Sequence, residues 1–241
     1  MILESDCVIL LTATIKPFIE GGTIVDINER YKMYKDALDW YVQNTNCKII
    51  FAENSGAEML DKYDVNRVEF VQCSENQNIP SCVRGGGRKS YGEILIMEAV
   101  WKNSIFIKTC KYIIKITGRL KCINIRDILR SIPLKYPCLS YTINIKGTYA
   151  DSRVVFLSKN MGEKIFALKS KLDWNFGFED LLCTLNKDTK REFVFMPKYL
   201  QMSGICGGTG RRYDLYGLRL LQAQIKHTFK KISYYIRKYV C

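Results

Sequence analysis

Two cations lie within and after an apolar run in the segment KYIIKITGRL, residues 111–120 of this 241-residue chain. Lys115 lies inside the run, and Thr117, Gly118 and Arg119 follow its last isoleucine. Apolar β-branched residues of this kind favour a buried strand. Lys and Arg can neutralise phosphate oxygens, and Arg does so with two N–H groups at once. The segment therefore predicts a strand that delivers positive charge to a nucleotide diphosphate.

Two glycine-rich basic segments could add phosphate contacts. RGGGRKSYGE (84–93) precedes a helical pattern, and free backbone N–H groups at a helix start bind anions. SGICGGTGRRY (203–213) could close over a bound phosphate. A flexible surface loop is the alternative for the first segment. The candidate ligands are Arg88, Lys89, Gly92, Arg211 and Arg212.

Carboxylates suited to acid–base chemistry occur in the segment DWNFGFEDLL, residues 173–182. Glu179 or Asp180 could remove a proton from a substrate hydroxyl, and Trp174 or Phe178 could stack on a sugar ring. Acids at a helix start can also be surface caps stabilised by the helix dipole. The high density of aromatic residues favours the functional interpretation.

The order of apolar segments predicts an α/β domain with a mainly parallel sheet. Cys7–Leu11, Cys47–Ala52 and Val68–Val71 are the first three predicted strands. Asp26 is the predicted cap of a helix that runs to about Thr45. The remaining predicted elements are a helix beginning with the apolar face Ile94–Trp101, a short helix Asp127–Ile132, strands Leu139–Ile145, Val154–Leu157 and Phe193–Met196, and a helix Met161–Lys171.

Ligands bind at the carboxyl ends of strands in open α/β sheets. Thr12 and Thr14 follow the first predicted strand, and Glu53 follows the second. These three residues are therefore candidate ligand contacts at one edge of the sheet.

Composition describes a globular protein, with 47% apolar and 25% charged residues. Ten cysteines without a CxxC pair and a single histidine argue against a zinc centre. We expect no signal peptide and no transmembrane helix, because the N-terminus has no basic front and no long uncharged apolar run exists. Cysteines inside apolar runs then favour the reducing cytoplasm.

The net charge of +13 is concentrated near the C-terminus, where residues 190–241 hold eleven Lys or Arg and two acids. A polyanionic partner is implied. We predict one domain over 1–214 and a basic amphipathic helix over 215–241. This helix either lies on an anionic membrane surface, peripheral to the inner face, or packs on the domain with its basic face solvated. Its apolar stripe is Leu218, Leu221, Ile225, Phe229, Ile232, Ile236 and Tyr239.

Taken in this order, the segments resemble the GT-A glycosyltransferases, enzymes with a Rossmann-like domain that use nucleotide-sugar donors. RGGGRKSYGEILIMEAV looks like the loop and helix after the third strand of that family. YIIKITGRL occupies the place of the strand that ends in the metal-binding DxD motif, and DWNFGFEDLL resembles the region that supplies the catalytic base. KSYGE, IIKITGR, ADSR and FED are similar to a bacterial group that builds capsular or lipopolysaccharide glycans.

The resemblance covers about residues 7–213. It implies a donor-binding part over about 1–120, an acceptor-binding part over about 121–214, and sugar transfer to a hydroxyl of a surface glycan or lipid-linked acceptor. Glu179 or Asp180 would be the general base, and Thr12, Thr14 and Glu53 would contact the nucleoside. Direct inverting displacement is the simpler expectation.

No Asp stands at the DxD position of this chain. Lys115 and Arg119, with the Arg88/Lys89 segment, would neutralise the leaving diphosphate instead. We therefore predict an enzyme that needs no metal or depends on one weakly. Asp151 is the candidate ligand if a Mg²⁺ or Mn²⁺ ion binds beside the diphosphate.

Two other functions stay open at this point. GGGRKS resembles the phosphate-binding loop of an ATP-dependent small-molecule kinase, although Arg88 replaces the glycine expected before Lys-Ser. The charge and the fifteen tyrosines suit a nucleic-acid-binding protein. Because the cations gather at one end and do not interleave with aromatic residues along a stripe, we expect no nucleic-acid partner.

Overall fold

The computed structural model describes residues 2–17, 26–59, 62–73, 86–133, 138–173, 175–189, 191–206 and 209–240. Its strands are β1 (Cys7–Ala13), β2 (Lys48–Glu53), β3 (Val68–Gln72), β4 (Tyr112–Thr117), β5 (Lys121–Cys122), β6 (Leu139–Ile143), β7 (Ala150–Ser158), β8 (Phe193–Phe195) and β9 (Met202–Ser203). Its α-helices are α1 (Ile27–Asn44), α2 (Gly86–Asn103), α3 (Ile105–Thr109), α4 (Ile125–Ser131), α5 (Lys159–Ala167), α6 (Phe178–Asp188) and α7 (Gly217–Val240).

Seven strands form one sheet in the order β3-β2-β1-β4-β7-β6-β8, and β5 pairs with β9 separately. Within the large sheet β7 is antiparallel to both of its neighbours, while the other pairs are parallel. The predicted mainly parallel α/β sheet is confirmed. Because β7 runs against β4, its first residues lie at the edge where β1, β2 and β4 end.

Two apolar cores lie on opposite faces of this sheet. Residues of α2, α5 and α6 pack on one face, and residues of α1 and α4 pack on the other. β1 is buried along its whole length, as its continuous apolar run predicts. Along β4, Ile113 belongs to the first core and Ile114 to the second. Side chains alternate along a strand, so Lys115 lies on the α2/α6 side.

The start of α1 agrees closely with its sequence signal. The side chain of Asp26 accepts a hydrogen bond of 2.7 Å from the Glu29 N–H, which satisfies a free donor of the first turn. Tyr34, Leu38 and Tyr41 are buried against the sheet at helical spacing. The helix predicted from Asp26 to about Thr45 is confirmed.

The glycine-rich loop predicted over 84–93 is corrected by the structure. Residues from Gly86 onward are the first turns of α2, and residues 84 and 85 lie outside the described part of the chain. Glycine disfavours a helix interior, but tertiary contacts hold this end in place. Ser90 is buried, and its hydroxyl accepts the Phe178 N–H at the start of α6 at 3.0 Å.

Smaller corrections concern the ends of elements. The predicted strand Leu139–Ile145 ends at Ile143, and the predicted short helix begins at Ile125 rather than Asp127. The predicted helix Met161–Lys171 ends at Ala167 and is followed by a short 3-10 turn. Among the described helices, none has the length and apolar character needed to cross a bilayer.

Candidate active site

A chain of hydrogen-bonded polar side chains lies at the carboxyl edge of the sheet. Thr12 at the end of β1 donates to Glu93 Oε1 of α2 at 3.2 Å. Glu93 forms an ion pair with Lys115 of β4, whose Nζ donates to the Ser152 carbonyl at 2.8 Å. The Ser152 hydroxyl donates to Glu179 Oε1 of α6 at 2.5 Å. We call these five residues the polar chain.

Lys115 is the most enclosed member of the polar chain. Its side chain is 0% exposed, whereas that of Glu93 is 23% exposed. The Phe178 ring lies on its other side, with its centroid 5.3 Å from Nζ. The sequence predicts that Lys115 contacts a diphosphate, but in this structure its ammonium group is enclosed and already paired. It holds Glu93 and the start of β7 in place.

The two candidate bases differ in what they do locally. Asp180 Oδ2 accepts the Gly177 N–H at 2.9 Å and so caps the start of α6. Glu179 turns instead toward Ser152 on the neighbouring strand. This geometry favours Glu179 as the group that faces a substrate.

Of the two aromatic residues predicted to stack on a sugar, Phe178 is the one that the structure describes, and its ring is buried. Phe178 is 1% exposed, because its ring fills the core beside Lys115. Trp174 lies outside the described residues. Tyr149, just before β7, is an aromatic residue whose side chain is available to a ligand, since it is 63% exposed. Burial and then the charges of Asp151 and Glu179 raise the pKa of the Tyr149 phenol, so it stays protonated as a donor.

Arg119 lies just beyond the end of β4 and joins it to two other segments. Its Nε donates to the Ile205 carbonyl at 3.3 Å, and its Nη1 lies 3.5 Å from the Tyr34 hydroxyl. Within the described residues these contacts use two of the five guanidinium N–H donors. Arg119 is half-buried at the site edge, so the remaining donors can face a phosphate.

Gly118 permits a close approach between the ends of β1 and β4. Its N–H donates to the Thr12 carbonyl at 2.9 Å. A Cβ at this position would lie 2.7 Å from that same oxygen, which is inside any normal contact distance. Thr117, its half-buried neighbour, pairs with Thr12 across the strands. Glycine at position 118 is therefore needed for the contact between the ends of β1 and β4.

Glu53 organises the loops that follow β1 and β2. Its carboxylate accepts the N–H groups of Ile15, Ser55 and Ala57 at 3.0, 2.8 and 3.1 Å, and it is 2% exposed. Thr14 donates to Asn54 Oδ1 at 2.7 Å. These contacts give Glu53 a structural role, and Thr14 lies beside it at the edge predicted to bind a nucleoside.

A second polar cluster lies next to Ser152 of the polar chain. Arg153 makes a two-pronged ion pair with Asp151, and its guanidinium lies 4.5 Å from the centroid of the Tyr213 ring. Tyr213 lies in the hairpin 204–213, whose described residues, 204–206 and 209–213, are joined by the Gly204–Tyr213 and Ile205–Arg212 pairings.

The remaining predicted phosphate ligands are more dispersed. Arg211 and Arg212 are exposed on the hairpin, and Lys89 is exposed on the first turns of α2. Gly92 is buried within α2, where it has no loop freedom. The side chain of Arg88 lies outside the described residues. The structure thus brings Thr12, Lys115 and Glu179 into one hydrogen-bonded chain, whereas the side chains of Lys89, Arg211 and Arg212 are exposed to solvent.

Comparison with solved structures identifies the architecture. The galactosyltransferase LgtC, in complex with donor and acceptor sugar analogues, matches with a TM-score of 0.50 and 11% identity over 78% of this chain and 72% of LgtC. The bifunctional glycosyltransferase WbbM in its apo form matches with a TM-score of 0.53 and 13% identity over 95% of this chain. This chain spans 45% of the WbbM chain. The fold is that of the GT-A glycosyltransferases. No protein-family model and no curated protein sequence matches this chain.

The GT-A fold raises the question of a divalent metal ion beside β4. In the described residues no three His, Cys, Asp or Glu side chains lie close enough together to hold one. β4 ends at Thr117 and is followed by Gly118 and Arg119, and the Asp151 carboxylate is already paired with Arg153. The described residues therefore do not fit a metal at this position, and we derive no step through one.

Several residues of the candidate site could not be predicted from the sequence. Glu93 and Ser152 are central to the polar chain, and Tyr34 links Arg119 to the loop after β1 through the Thr14 N–H at 3.2 Å. Glu93 is the last residue of the segment that the sequence presents as a loop. Only the helical period of Tyr31, Tyr34, Leu38 and Tyr41 signals that Tyr34 faces the sheet.

The position of Arg119 leads to a direct test. We expect Arg119→Ala to raise the Kd of a nucleotide-diphosphate donor by about 10- to 100-fold, because a charged hydrogen bond to phosphate contributes about 1.5–3 kcal/mol. Arg119→Lys should recover part of that loss, since it keeps the charge but not the planar fork. Calorimetric titration is the measurement. Exposed Arg130 on α4 provides the matched Ala control; equal losses in both variants would remove Arg119 from the site.

Proposed function

We propose that this protein transfers a sugar from a nucleotide-diphosphate donor to a hydroxyl group of a surface glycan or lipid-linked acceptor. The observation that carries the proposal is the pairing of Ser152 with Glu179 beside the ends of β1 and β4, on a GT-A sheet. A hydrogen-bonded carboxylate there is suited to deprotonating an acceptor, and Arg119 is suited to binding a phosphate.

The chemical step consists of one displacement. The acceptor oxygen forms a bond to the anomeric carbon as the bond from that carbon to the donor phosphate oxygen breaks. Glu179 takes the acceptor proton, and the nucleoside diphosphate leaves with the bonding electron pair. A general base of this kind contributes about 10²- to 10⁴-fold to the rate.

The leaving diphosphate gains negative charge that the site must stabilise. Arg119 is the described cation best placed for this role, and Arg211 and Arg212 can add to it if the hairpin approaches the phosphates. Lys115 acts indirectly in our proposal: it holds Glu93 and the Ser152 carbonyl. The neighbouring Asp151–Arg153 pair, with Tyr149 and Tyr213, forms the acceptor side.

The proposed compartment is the cytoplasm. Eight cysteines in the described part of the chain form no disulfide bond, and six of them are buried. Burial raises the pKa of Cys47 and of Cys122 to about 12, so these thiols stay protonated and unreactive. Cysteines that form no disulfide suit a reducing environment.

A thermal-shift panel tests donor binding. We expect one class of UDP-, GDP- or dTDP-linked sugar to raise the Tm by several degrees, since binding at about 100 times the Kd adds about 2.7 kcal/mol to stability. A CMP-linked sugar, which has a single phosphate, is the matched control and should shift the Tm less. We expect the same shifts in EDTA.

Two outcomes would change this proposal. Loss of the donor shift in EDTA would show that a metal ion takes part in donor binding. Absence of any Tm shift across the whole panel would count against nucleotide-sugar transfer. The kinase alternative would then be tested with ATP and magnesium.

A further inference from the structure

α7 uses one face to pack against the rest of the protein. His227 and Tyr234 are buried, and His227 Nε2 lies 2.9 Å from the Met196 carbonyl. The Tyr234 hydroxyl donates to Asn186 Oδ1 at 2.9 Å, and the Tyr235 hydroxyl accepts the Phe195 N–H at 3.2 Å. These contacts fix α7 beside β8 and α6 and define which way its other face points.

The opposite face of α7 is apolar and exposed. Large side chains recur there every three or four residues, which places them on a single stripe. Leu218, Phe229 and Tyr239 are 78%, 66% and 75% exposed. The stripe is made of Leu218, Leu221, Ile225, Phe229, Ile232, Ile236 and Tyr239, all exposed. α7 thus packs on the domain, as one of the two predicted alternatives has it, but through the face that carries His227 and Tyr234 and not through this stripe.

A row of cations borders the apolar stripe. Arg219, Lys226, Lys230 and Arg237 are exposed, and their spacings of seven, four and seven residues place them along one flank of the helix. Two further lysines turn back to the protein: Lys231 donates to the Pro197 carbonyl at 3.1 Å, and Lys238 approaches the Phe193 carbonyl at 3.5 Å. α7 contains no Asp or Glu.

We propose that the exposed stripe and the cation row form a docking surface for an anionic phospholipid bilayer. α7 lies flat on that bilayer, with the stripe inserted at the level of the headgroups and the cation row against lipid phosphates. Large contiguous apolar patches are rare on monomeric proteins, and a one-sided basic helix of this kind is suited to an interface. The inference is independent of which reaction the site performs.

The charge of α7 argues against a second copy of this protein as the partner that covers the apolar stripe. An α7–α7 contact through the stripe would bring two cation rows together without a carboxylate on either helix to offset them. An anionic bilayer supplies the opposite charge along the whole row. Each exposed cation near such a surface strengthens binding about fivefold.

The docking surface is close to the candidate site along the chain. The hairpin 204–213 contacts Arg119 through Ile205 and Arg153 through Tyr213, and α7 begins four residues after Tyr213. Lipid contact at the first turn of α7 would therefore hold this hairpin, which contacts Arg119 and Arg153, near the bilayer. This fits an acceptor carried by a lipid.

Vesicle sedimentation of the full chain tests the proposal. We expect pelleting with vesicles of phosphatidylcholine and phosphatidylglycerol, weaker binding to phosphatidylcholine alone, and loss of binding as salt rises. Replacing Arg219, Lys226, Lys230 and Arg237 together with Gln should weaken binding to the anionic vesicles by about several hundredfold. Phe229→Glu should weaken it as well, through the apolar stripe.

The matched control removes four exposed lysines elsewhere: Lys32, Lys102, Lys108 and Lys146 to Gln. It changes the net charge equally and should keep most of the vesicle binding. Equal binding by the α7 variant and this control would overturn the proposal. The proposal would also be overturned if the parent protein did not pellet with vesicles and light scattering showed a dimer that Phe229→Glu dissociates. Far-UV circular dichroism and the Tm measured without donor verify that each variant is folded.

Discussion

Glu179→Gln is expected to lower kcat by about 10²- to 10⁴-fold, the contribution of a positioned general base. The amide keeps the shape of the side chain and can still accept the Ser152 hydroxyl, but it cannot take a proton from the acceptor. Donor affinity should change little, because Glu179 acts on the acceptor. The measurement is steady-state transfer with the donor identified by the thermal-shift panel, alongside the donor Kd.

Asp180→Asn is the matched control for this prediction. Asn retains an oxygen that can accept the Gly177 N–H at the start of α6, so we expect activity within several-fold of the parent. Ser152→Ala removes the donor to Glu179 and should reduce kcat without abolishing it. If Glu179→Gln stays active while Asp180→Asn does not, Asp180 is the general base. Activity in both variants would mean that the base is another residue.

Local signals were sufficient for much of the fold. The continuous apolar run of β1 and the Asp26 cap of α1 act over a few residues, so the sequence predicts both elements closely. α3 is only five residues long, and β5 and β9 are two each. Elements this short have no period to detect, and long-range contacts stabilise them.

The candidate site was harder to predict, because its partners are distant in sequence. Thr12 and Glu93 are 81 residues apart, and Ser152 and Glu179 are 27 apart. The sequence correctly indicates that Lys115 is on a buried strand, but it does not show that α2 covers it. Because α2 begins at Gly86, Glu93 lies on the helix that covers β4 and forms an ion pair with Lys115. The Lys115 ammonium group, predicted to contact a phosphate, is therefore paired inside the protein.

The Glu93–Lys115 pair provides the largest expected effect on stability. Glu93→Gln leaves the Lys115 ammonium, which is 0% exposed, without its counter-charge. Removing one partner of a buried pair costs about 3–5 kcal/mol, and we expect about 3 kcal/mol here since Glu93 is partly exposed. That corresponds to a fall in Tm of roughly 6–12 °C for a chain of this size.

Glu98→Gln is the control on the same helix. Glu98 pairs with Lys169 at 2.6 Å, but both side chains are about one-quarter exposed, at 26% and 27%. Solvent screening limits such a pair to about 0–1 kcal/mol. Equal destabilisation by Glu93→Gln and Glu98→Gln would show that the buried Lys115 ammonium group does not depend on Glu93 more than an exposed pair depends on its acid.

The double variant Glu93→Gln/Lys115→Met separates stability from function. Met is similar in length to Lys and packs well against the Phe178 ring, so we expect stability to return to within about 1.5 kcal/mol of the parent. The Ser152 carbonyl then loses the Lys115 Nζ contact, and Ser152 no longer holds Glu179 in a fixed position. Small displacements of a catalytic group cost up to about 10²-fold, so kcat should stay at least about tenfold below the parent in this stable variant. Full recovery of activity together with stability would mean that the pair serves the fold alone, and that Glu179 needs no support from Lys115.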